Sequence, residues 1–223
     1  MTQPNLEPSG DCRAWLAELG VQLAQLHDAL RAGEEARRLT TANDPRNAAG
    51  TQDYFRRIRV LRERKIAEDG WARLDLNMLP LVANPDRTIA IGVLLGDHRT
   101  GWPGPYHPRS RRPIGEGKIR LVARNQQQMA LFPGAHNSQE VDLDSEDLSR
   151  LQTWFLISFR RLYGDHVTIN SELSLPSETG ETNYITRYAR RIPLPELRFD
   201  GVIPYADDDD DDEGGYEVNV GEK

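Results

Sequence analysis

Three strand-like segments follow one another in the last third of the chain, and they limit the choice of fold more than any other feature. They are TWFLISFRRL (153–162), HVTINSELSLP (166–176) and NYITRYARRIPLP (183–195). The sequences YGD and SETGET join them, and both are rich in residues that favour tight turns. Strands joined by such short turns pair in antiparallel fashion. The pattern therefore predicts a β-meander and a domain built around a mostly antiparallel sheet.

A stripe of leucines near the N-terminus predicts an amphipathic helix. Asp11 is a suitable N-cap, and Gly33 is a suitable end. We expect the leucine face to pack on the protein's own sheet, with a contact to a partner as the alternative. The first ten residues contain two prolines and a glycine, and we expect them to be disordered. The leucines recur at steps of three and four residues: Leu16, Leu19, Leu23, Leu26 and Leu30.

Four segments in the middle of the chain predict secondary structure, and one of them is ambiguous. The segment from Asp53 to Trp71 fits either a helix or a strand, because its apolar residues are spaced weakly for both. Arg87 to Gly96 is a short apolar run between turn residues, which predicts a buried strand. Residues 97–117 are rich in proline and glycine and predict a long loop. KIRLVARN (118–125) alternates apolar and basic residues and predicts a half-exposed strand.

Together these segments predict an α+β fold. We expect a single domain over residues 11–205, with a mostly antiparallel sheet of about five strands and the N-terminal amphipathic helix on one face. Long loops are expected near 97–117 and 125–147. A short helix that carries Leu148 and Leu151 is expected at the end of the second loop, capped by Asp144 or Ser145.

The acidic character of the chain belongs to its C-terminus. The whole chain has a formal net charge of -7. Residues 206–223 hold nine of its acidic residues and one lysine, which leaves 27 basic and 26 acidic residues in the rest of the chain. This composition predicts a disordered acidic tail that the fold does not need. A tethered polyanion would also compete with phosphate groups for a basic surface.

Several properties are predicted from what the sequence does not contain. It has no run of about 18 apolar residues and no signal-peptide pattern at its N-terminus, so we expect a cytoplasmic protein without a membrane partner. Its only cysteine, Cys12, cannot form an internal disulfide. The five histidines are scattered without the spacing of a zinc site, and no phosphate-binding loop or dinucleotide loop occurs. We therefore expect no metal and no cofactor.

A cluster of basic residues with aromatic neighbours predicts a contact with nucleic acid. Arginine and lysine neutralise phosphates, and aromatic rings stack on bases. Tyr106 and His107 lie within the cluster, and Arg99 precedes it. The alternative is that these arginines serve only solubility on a surface loop. The candidate residues for binding nucleic acid are Trp102, Arg109, Arg111, Arg112, Lys118, Arg120 and Arg124.

One enzymatic arrangement is also present in part. Pro85-Asp86 and the triplet Glu116-Gly117-Lys118 resemble the signature of the PD-(D/E)xK nucleases. That resemblance implies a magnesium ion held by Asp86 and Glu116, with Lys118 helping to position the attacking water. It departs from the family because Pro113, Ile114 and Gly115 precede the triplet where apolar strand residues are usual.

The pentapeptide QMALF (128–132) carries a different resemblance. It is similar to the short motif by which bacterial replication and repair proteins bind the sliding clamp, whose usual form is Gln-Leu-(Ser/Asp)-Leu-Phe. The resemblance implies that Gln128 bonds at the rim of the clamp pocket while Leu131 and Phe132 fill an apolar cleft, with Met129 in place of leucine. Another protein contact and packing in the protein's own core are the alternatives.

These observations lead to three hypotheses of function. The first is a non-enzymatic accessory or adaptor protein of bacterial DNA metabolism, a mobile element or antiviral defence, which docks on a sliding clamp or a similar partner. The second is a magnesium-dependent nuclease that uses Asp86, Glu116 and Lys118. The third is a structural subunit of a multiprotein complex, bound through its leucine face and its acidic tail.

Overall fold

The computed structural model describes residues 10–76, 78–130 and 150–201, and only the backbone of Gly10, Asp11, Met129 and Ala130. The acidic tail, most of the N-terminal segment and much of the predicted loop 125–147 lie outside these residues. The elements in chain order are α1 (Gly10–Glu18), α2 (Leu23–Arg38), α3 (Ala48–Asp69), β1 (Ala72–Leu76), β2 (Leu79–Ala83), β3 (Ile89–Leu95), α4 (Glu116–Ala130), β4 (Gln152–Tyr163), β5 (His166–Thr179) and β6 (Ile185–Phe199).

The strands form one sheet in the order β1-β2-β3-β4-β5-β6. Every neighbouring pair is antiparallel except β3 and β4, which run parallel with Ile89 opposite Gln152 and Leu95 opposite Ser158. The α+β fold and the predicted meander of β4, β5 and β6 are therefore confirmed. The described sheet has six strands rather than about five, because the two short strands β1 and β2 precede the predicted buried strand.

Apolar clusters cover both faces of the sheet. On one face, residues of α1, α2 and α3 pack against alternating strand residues such as Ile91, Val93, Trp154 and Leu156. On the other face, α4 and the end of the preceding loop pack against the intervening residues of the same strands. The central strands are thus buried on both sides, which explains the continuous apolar run in β3.

The leucine stripe packs on the sheet as predicted, but it belongs to two helices. Gly20 has a φ of 64°, a left-handed conformation that ends the first helix after Glu18. The backbone amide of Gln22 then donates to Oε1 of Gln25, and α2 begins at Leu23. Of the five leucines, Leu23 is partly buried and the other four are buried in the core.

Gly33 does not end the helix as predicted, because α2 continues to Arg38. A Cβ atom at Gly33 would overlap the carboxylate of Asp53 and the side chain of Arg57 on α3. Glycine is therefore present here because it allows α2 and α3 to approach each other closely. The ambiguous segment from Asp53 to Trp71 forms most of the helix α3.

The prediction of a strand over KIRLVARN is wrong, because this segment lies within α4. Leu121 and Val122 pack on the sheet. Asn125 is buried one turn further along the helix and bonds to the backbone of two strands. Its Nδ2 donates to the carbonyls of Thr153 (2.9 Å) and Pro176 (3.0 Å), and its Oδ1 accepts from the amide of Thr153 (2.9 Å). Asn125 interrupts the apolar pattern of the helix in the sequence, yet its hydrogen bonds fix α4 on the sheet.

Within the part of the chain that the structure describes, no helix is long and apolar enough to span a membrane.

A buried lysine holds the helical layer together. The Nζ atom of Lys65 donates to the carbonyl of Gly20 (2.6 Å) and to Asp69 (2.6 Å), and it lies 3.9 Å from the centre of the Trp71 ring. It also contacts Oε1 of Gln25 at the start of α2. Lys65 thus joins the α1–α2 turn to the C-terminal end of α3. Burial lowers its pKa, against the opposing effect of Asp69.

We predict that Lys65→Met lowers the free energy of unfolding by about 2 to 4 kcal/mol, because it removes the ammonium that bonds to the Gly20 carbonyl and to the partly buried Asp69, leaving Asp69 with its bond from Gln25 alone. The matched control is Arg59→Met, which breaks an ion pair with Glu63 at the same helical spacing but at an exposed site. That change is expected to cost less than about 0.5 kcal/mol. Urea unfolding measures both, and equal losses would show that Lys65 does not hold the layer.

Candidate nucleic-acid interface

The predicted basic loop leaves the sheet after β3 and closes on itself. The amide of Gly96 donates to the carbonyl of Ser158, and the amide of Asp97 donates to the carbonyl of Arg109 (both 2.9 Å). The amide of Arg111 then donates back to the carbonyl of Leu95 (2.9 Å). The two ends of the loop are therefore paired with each other, and residues 98–108 form a closed loop over the sheet.

A buried ion pair fixes the middle of this loop. Arg191 on β6 forms a two-pronged contact with Glu172 on β5, with Nη2 2.6 Å from Oε2 and Nε 3.0 Å from Oε1. The side chain of Glu172 is fully buried, and Oε2 also accepts from the amide of Gly101 (2.9 Å). Ser174 donates to Oε1 (2.7 Å). Gly101 has a φ of 76° and lies against the backbone of Ser171, where a Cβ atom would be 3.0 Å from the nitrogen and the oxygen. The backbone at position 101 approaches that of Ser171 so closely that a residue without a Cβ atom is favoured there.

The guanidinium of Arg191 also binds the loop directly. It donates to the carbonyls of Trp102 (3.1 Å) and Tyr106 (3.0 Å) and lies 3.5 Å from that of Gly104. A planar guanidinium suits this role because its several N–H groups point outward in a fixed arrangement. Arg191 therefore neutralises Glu172 on one side and positions the loop backbone on the other.

Two further contacts attach the loop to the start of β6. The amide of Tyr188 donates to Nδ1 of His107 (2.9 Å), and the amide of Ile185 donates to Oγ of Ser110 (3.0 Å). Burial, with the nearby Arg191 charge, lowers the pKa of His107, which agrees with an unprotonated Nδ1. Burial raises the pKa of Tyr188, whose ring stacks on His107 at a centroid distance of 6.0 Å.

The outer side of the loop carries aromatic rings and arginines. Trp102 is 57% exposed and Tyr106 is 75% exposed. The guanidinium of Arg109 lies 3.6 Å from the centre of the Tyr184 ring, and that of Arg99 lies 6.0 Å from the centre of the Tyr106 ring. We name the loop surface by five of its residues: Arg99, Trp102, Tyr106, Arg109 and Arg112.

The loop surface is positively charged. Residues 97–112 contain four arginines and one aspartate. Arg99, Arg109 and Arg112 form no ion pair with any residue that the structure describes. Arg111 is half-buried, and its backbone pairs with β3. Of the residues predicted to bind nucleic acid, Trp102, Arg109 and Arg112 are therefore exposed residues of one loop.

The other three predicted residues lie on α4 and do not extend this surface in the predicted way. Lys118 is half-buried on the side of the helix that carries the buried Val122, and burial lowers its pKa. Arg120 is exposed but paired with Glu116 (3.0 Å). Arg124 is half-buried, and its Nη1 atom finds no hydrogen-bond partner among the described residues. The sequence predicted a strand that carries these basic side chains, whereas the helix α4 points them in different directions.

The nuclease-like residues are not brought together as their chemistry requires. Glu116 and Lys118 lie on a helix, where side chains two positions apart point about 160° away from each other, whereas on a strand they would share a face. Glu116 instead pairs with Arg120. No group of three or more metal-binding side chains forms in the described ranges 10–76, 78–130 and 150–201.

Asp86 also lies toward the other end of α4. It belongs to the turn between β2 and β3, beside the start of β4, where the amide of Gln152 donates to the carbonyl of Thr88 (2.8 Å). The C-terminal end of α4 reaches this region through the contact of Gln128 with Leu151. Glu116 precedes Gln128 by about 18 Å along the axis of α4, at 1.5 Å per residue, and so lies at the opposite end of the helix.

The pentapeptide QMALF begins inside α4. Gln128, Met129 and Ala130 are the last residues of that helix, and Nε2 of Gln128 donates to the carbonyl of Leu151 (3.2 Å). Gln128 is half-buried rather than free at the surface. Leu131 and Phe132 lie outside the described residues, so their predicted role in docking stays a prediction.

The residues that anchor the loop were not predicted from the sequence. Glu172 and Arg191 were not singled out, although a glutamate within the apolar strand sequence of β5 is a signal that a buried partner is needed. Tyr184, which supports Arg109, was assigned only to a strand. The pairing of Glu172 with Arg191 joins residues 19 positions apart, and it depends on the register of β5 and β6.

We predict that Arg191→Met lowers the free energy of unfolding by about 3 to 5 kcal/mol, because it leaves the Glu172 carboxylate buried without its main partner. Arg187→Met is the control on the same strand, since Arg187 forms a long, exposed pair with Glu178 (3.5 Å), and its loss is expected to stay below about 1 kcal/mol. Urea unfolding gives both values. Faster tryptic cleavage after Arg99 or Arg109 in the Arg191 variant alone would confirm that the loop is released.

Comparison with known proteins gives no match: no protein-family model, no curated protein and no solved structure matches the chain. Its function is therefore inferred from its own side chains. Among the described residues, the loop surface combines exposed aromatic rings with arginines that no carboxylate neutralises.

Proposed function

We propose that the protein is a non-enzymatic accessory protein of DNA metabolism that contacts nucleic acid through the loop surface. The observation that carries this proposal is the anchored loop, which holds the exposed rings of Trp102 and Tyr106 together with the exposed Arg99, Arg109 and Arg112. Arginine binds phosphate through two parallel hydrogen bonds, and this geometry needs a guanidinium that no carboxylate already occupies.

The surroundings of the loop surface support a localised positive site. The chain outside its acidic tail carries 27 basic and 26 acidic residues, so no general positive field exists to attract a polyanion. The arginines of the loop surface are instead concentrated within fourteen residues, from 99 to 112. A polyphosphate chain is a ligand that such a concentration fits, because each arginine that neutralises a phosphate releases a condensed counterion.

The rigid attachment of the loop favours binding. A mobile loop must lose conformational freedom when it binds, which costs about 1 to 2 kcal/mol for each residue whose backbone becomes fixed. Here the backbone is held by Arg191, His107 and Ser110 before any ligand is present. The backbone that carries the loop surface therefore needs little further ordering when a ligand binds.

We predict that the full chain binds DNA with a dissociation constant of about 10⁻⁶ to 10⁻⁴ M and with strong salt dependence. The combined change Arg99→Gln, Arg109→Gln and Arg112→Gln should weaken binding and flatten the plot of log affinity against log salt by about 2. The control carries the same charge change at exposed arginines elsewhere, namely Arg13→Gln, Arg56→Gln and Arg73→Gln. Fluorescence anisotropy with a labelled oligonucleotide measures both. Equal losses in the two variants, or no binding by the unchanged protein, would contradict the proposal.

Docking on a sliding clamp through Gln128, Met129, Leu131 and Phe132 is a second candidate. Its support is that the pentapeptide starts in the last turn of α4, where helices fray readily. To adopt an extended form, Gln128 must give up its hydrogen bond to Leu151, a cost of about 0.5 to 1.5 kcal/mol. This cost is small beside two apolar anchors entering a pocket.

We predict that Leu131→Ala with Phe132→Ala abolishes binding to a purified bacterial sliding clamp and leaves the free energy of unfolding nearly unchanged, because docking side chains contribute nothing to the core. A synthetic peptide with the sequence NQQQMALFPG should compete for the clamp. A loss of stability above about 3 kcal/mol in the double variant would instead place these residues in the core and remove the docking hypothesis.

A further inference from the structure

We infer that the ligand of the loop surface is single-stranded nucleic acid, whose unpaired bases stack on Trp102 and Tyr106. This inference rests on the proposed function and specifies its substrate class. It follows from the kind of side chains exposed, the irregular backbone that carries them and the way the backbone is held. The two rings bind the faces of the bases, whereas the arginines bind the phosphates.

The aromatic rings are exposed although their backbone is anchored. The carbonyls of Trp102 and Tyr106 both accept hydrogen bonds from the partly buried Arg191, so the main chain at these two positions is tied to the sheet. Their side chains nevertheless remain 57% and 75% exposed. An anchored residue with an exposed large ring can stack on a base without first paying to order the loop.

The shape of the loop favours unpaired bases over a duplex. A protein reads a duplex by placing a helix or a two-stranded ribbon in the major groove, which is about 12 Å wide. Residues 98–108 contain neither element, and Pro103, Pro105 and Pro108 keep the segment irregular. In a duplex the base faces are covered by their neighbours. Only an unpaired strand offers those faces to a tryptophan or a tyrosine.

The arginines lie where they can hold the strand while the rings hold the bases. Arg109 is supported by the Tyr184 ring at 3.6 Å, and Arg99 lies near the Tyr106 ring at 6.0 Å. A guanidinium over an aromatic face keeps the N–H groups at its edge available for phosphate oxygens. Base stacking and phosphate binding therefore occur within one short loop, which is the combination typical of single-strand binding.

The test compares a labelled single strand of about 20 thymidines with a duplex of the same length, each titrated with the full chain. Trp102→Ala is expected to weaken single-strand binding about 5- to 100-fold and duplex binding less than about twofold. Tyr106→Ala should act in the same direction. The control is Phe55→Ala on α3, which removes an equally exposed ring (59%) far from the loop in sequence and should change neither affinity.

A conservative variant separates stacking from general damage. Trp102→Phe keeps a ring and should retain most of the single-strand affinity, while it removes the part of the tryptophan fluorescence that binding quenches. Thermal unfolding should be the same for all these variants because the side chains changed are exposed. A ribouridine strand of the same length is expected to lose affinity equally in Trp102→Ala, since stacking uses the base face rather than the sugar.

The results also separate this inference from the proposed function. If the arginine variant loses binding to both probes while Trp102→Ala loses neither, the nucleic-acid contact stands and base stacking is overturned. If Trp102→Ala weakens duplex and single strand equally, the preference for unpaired bases is overturned. If the unchanged protein binds neither probe, both the inference and the proposed function fail.

Discussion

The burial of both faces of the central strands β3 and β4 determines how the rest of the chain is arranged. Two separate apolar clusters use alternate residues of these strands, so each face needs its own cover. The helices α1, α2 and α3 cover one face. The parallel pairing of β3 with β4 requires a long crossover, and that connection supplies α4 and the anchored loop as the cover of the other face. The loop is therefore part of the packing and presents its outer side in a fixed position.

Polar groups within these covered faces act mainly to join elements. Arg57 on α3 contacts both Asp53 and Ser158, which ties the helical layer to β4. Burial raises the pKa of Asp53, so the cost of desolvating the carboxylate outweighs the attraction of Arg57 beside it. Such a pair adds little net stability relative to an apolar replacement, but breaking it leaves a buried charge. We infer that the pair, like Glu172 with Arg191, is valuable for fixing the position of one element on another.

Short-range patterns in the sequence predicted the meander, the buried strand and the leucine face, because turn residues and apolar spacing are local. Helix α4 was missed for a physical reason. Its buried residues Leu121 and Val122 are followed by Asn125, which reads as exposed until its partners at Thr153 and Pro176 are known. The loop surface was predicted in part, from composition. Its rigidity was not predictable, since it depends on contacts between residues far apart in the sequence.

The pairing of the arginines explains why the positive charge is concentrated on the loop surface. Strand β6 and the residues next to it are rich in arginine, yet each of these arginines has a carboxylate partner, and the positive field of that strand is largely cancelled. Arg99, Arg109 and Arg112 have no such partner among the described residues, so their guanidinium groups remain available to an anion. Since exposed pairs contribute little to stability, the neutralisation along β6 matters more for where an anion binds than for the fold. The pairs are Arg187 with Glu178, Arg190 with Glu18, Arg191 with Glu172 and Arg198 with Asp200.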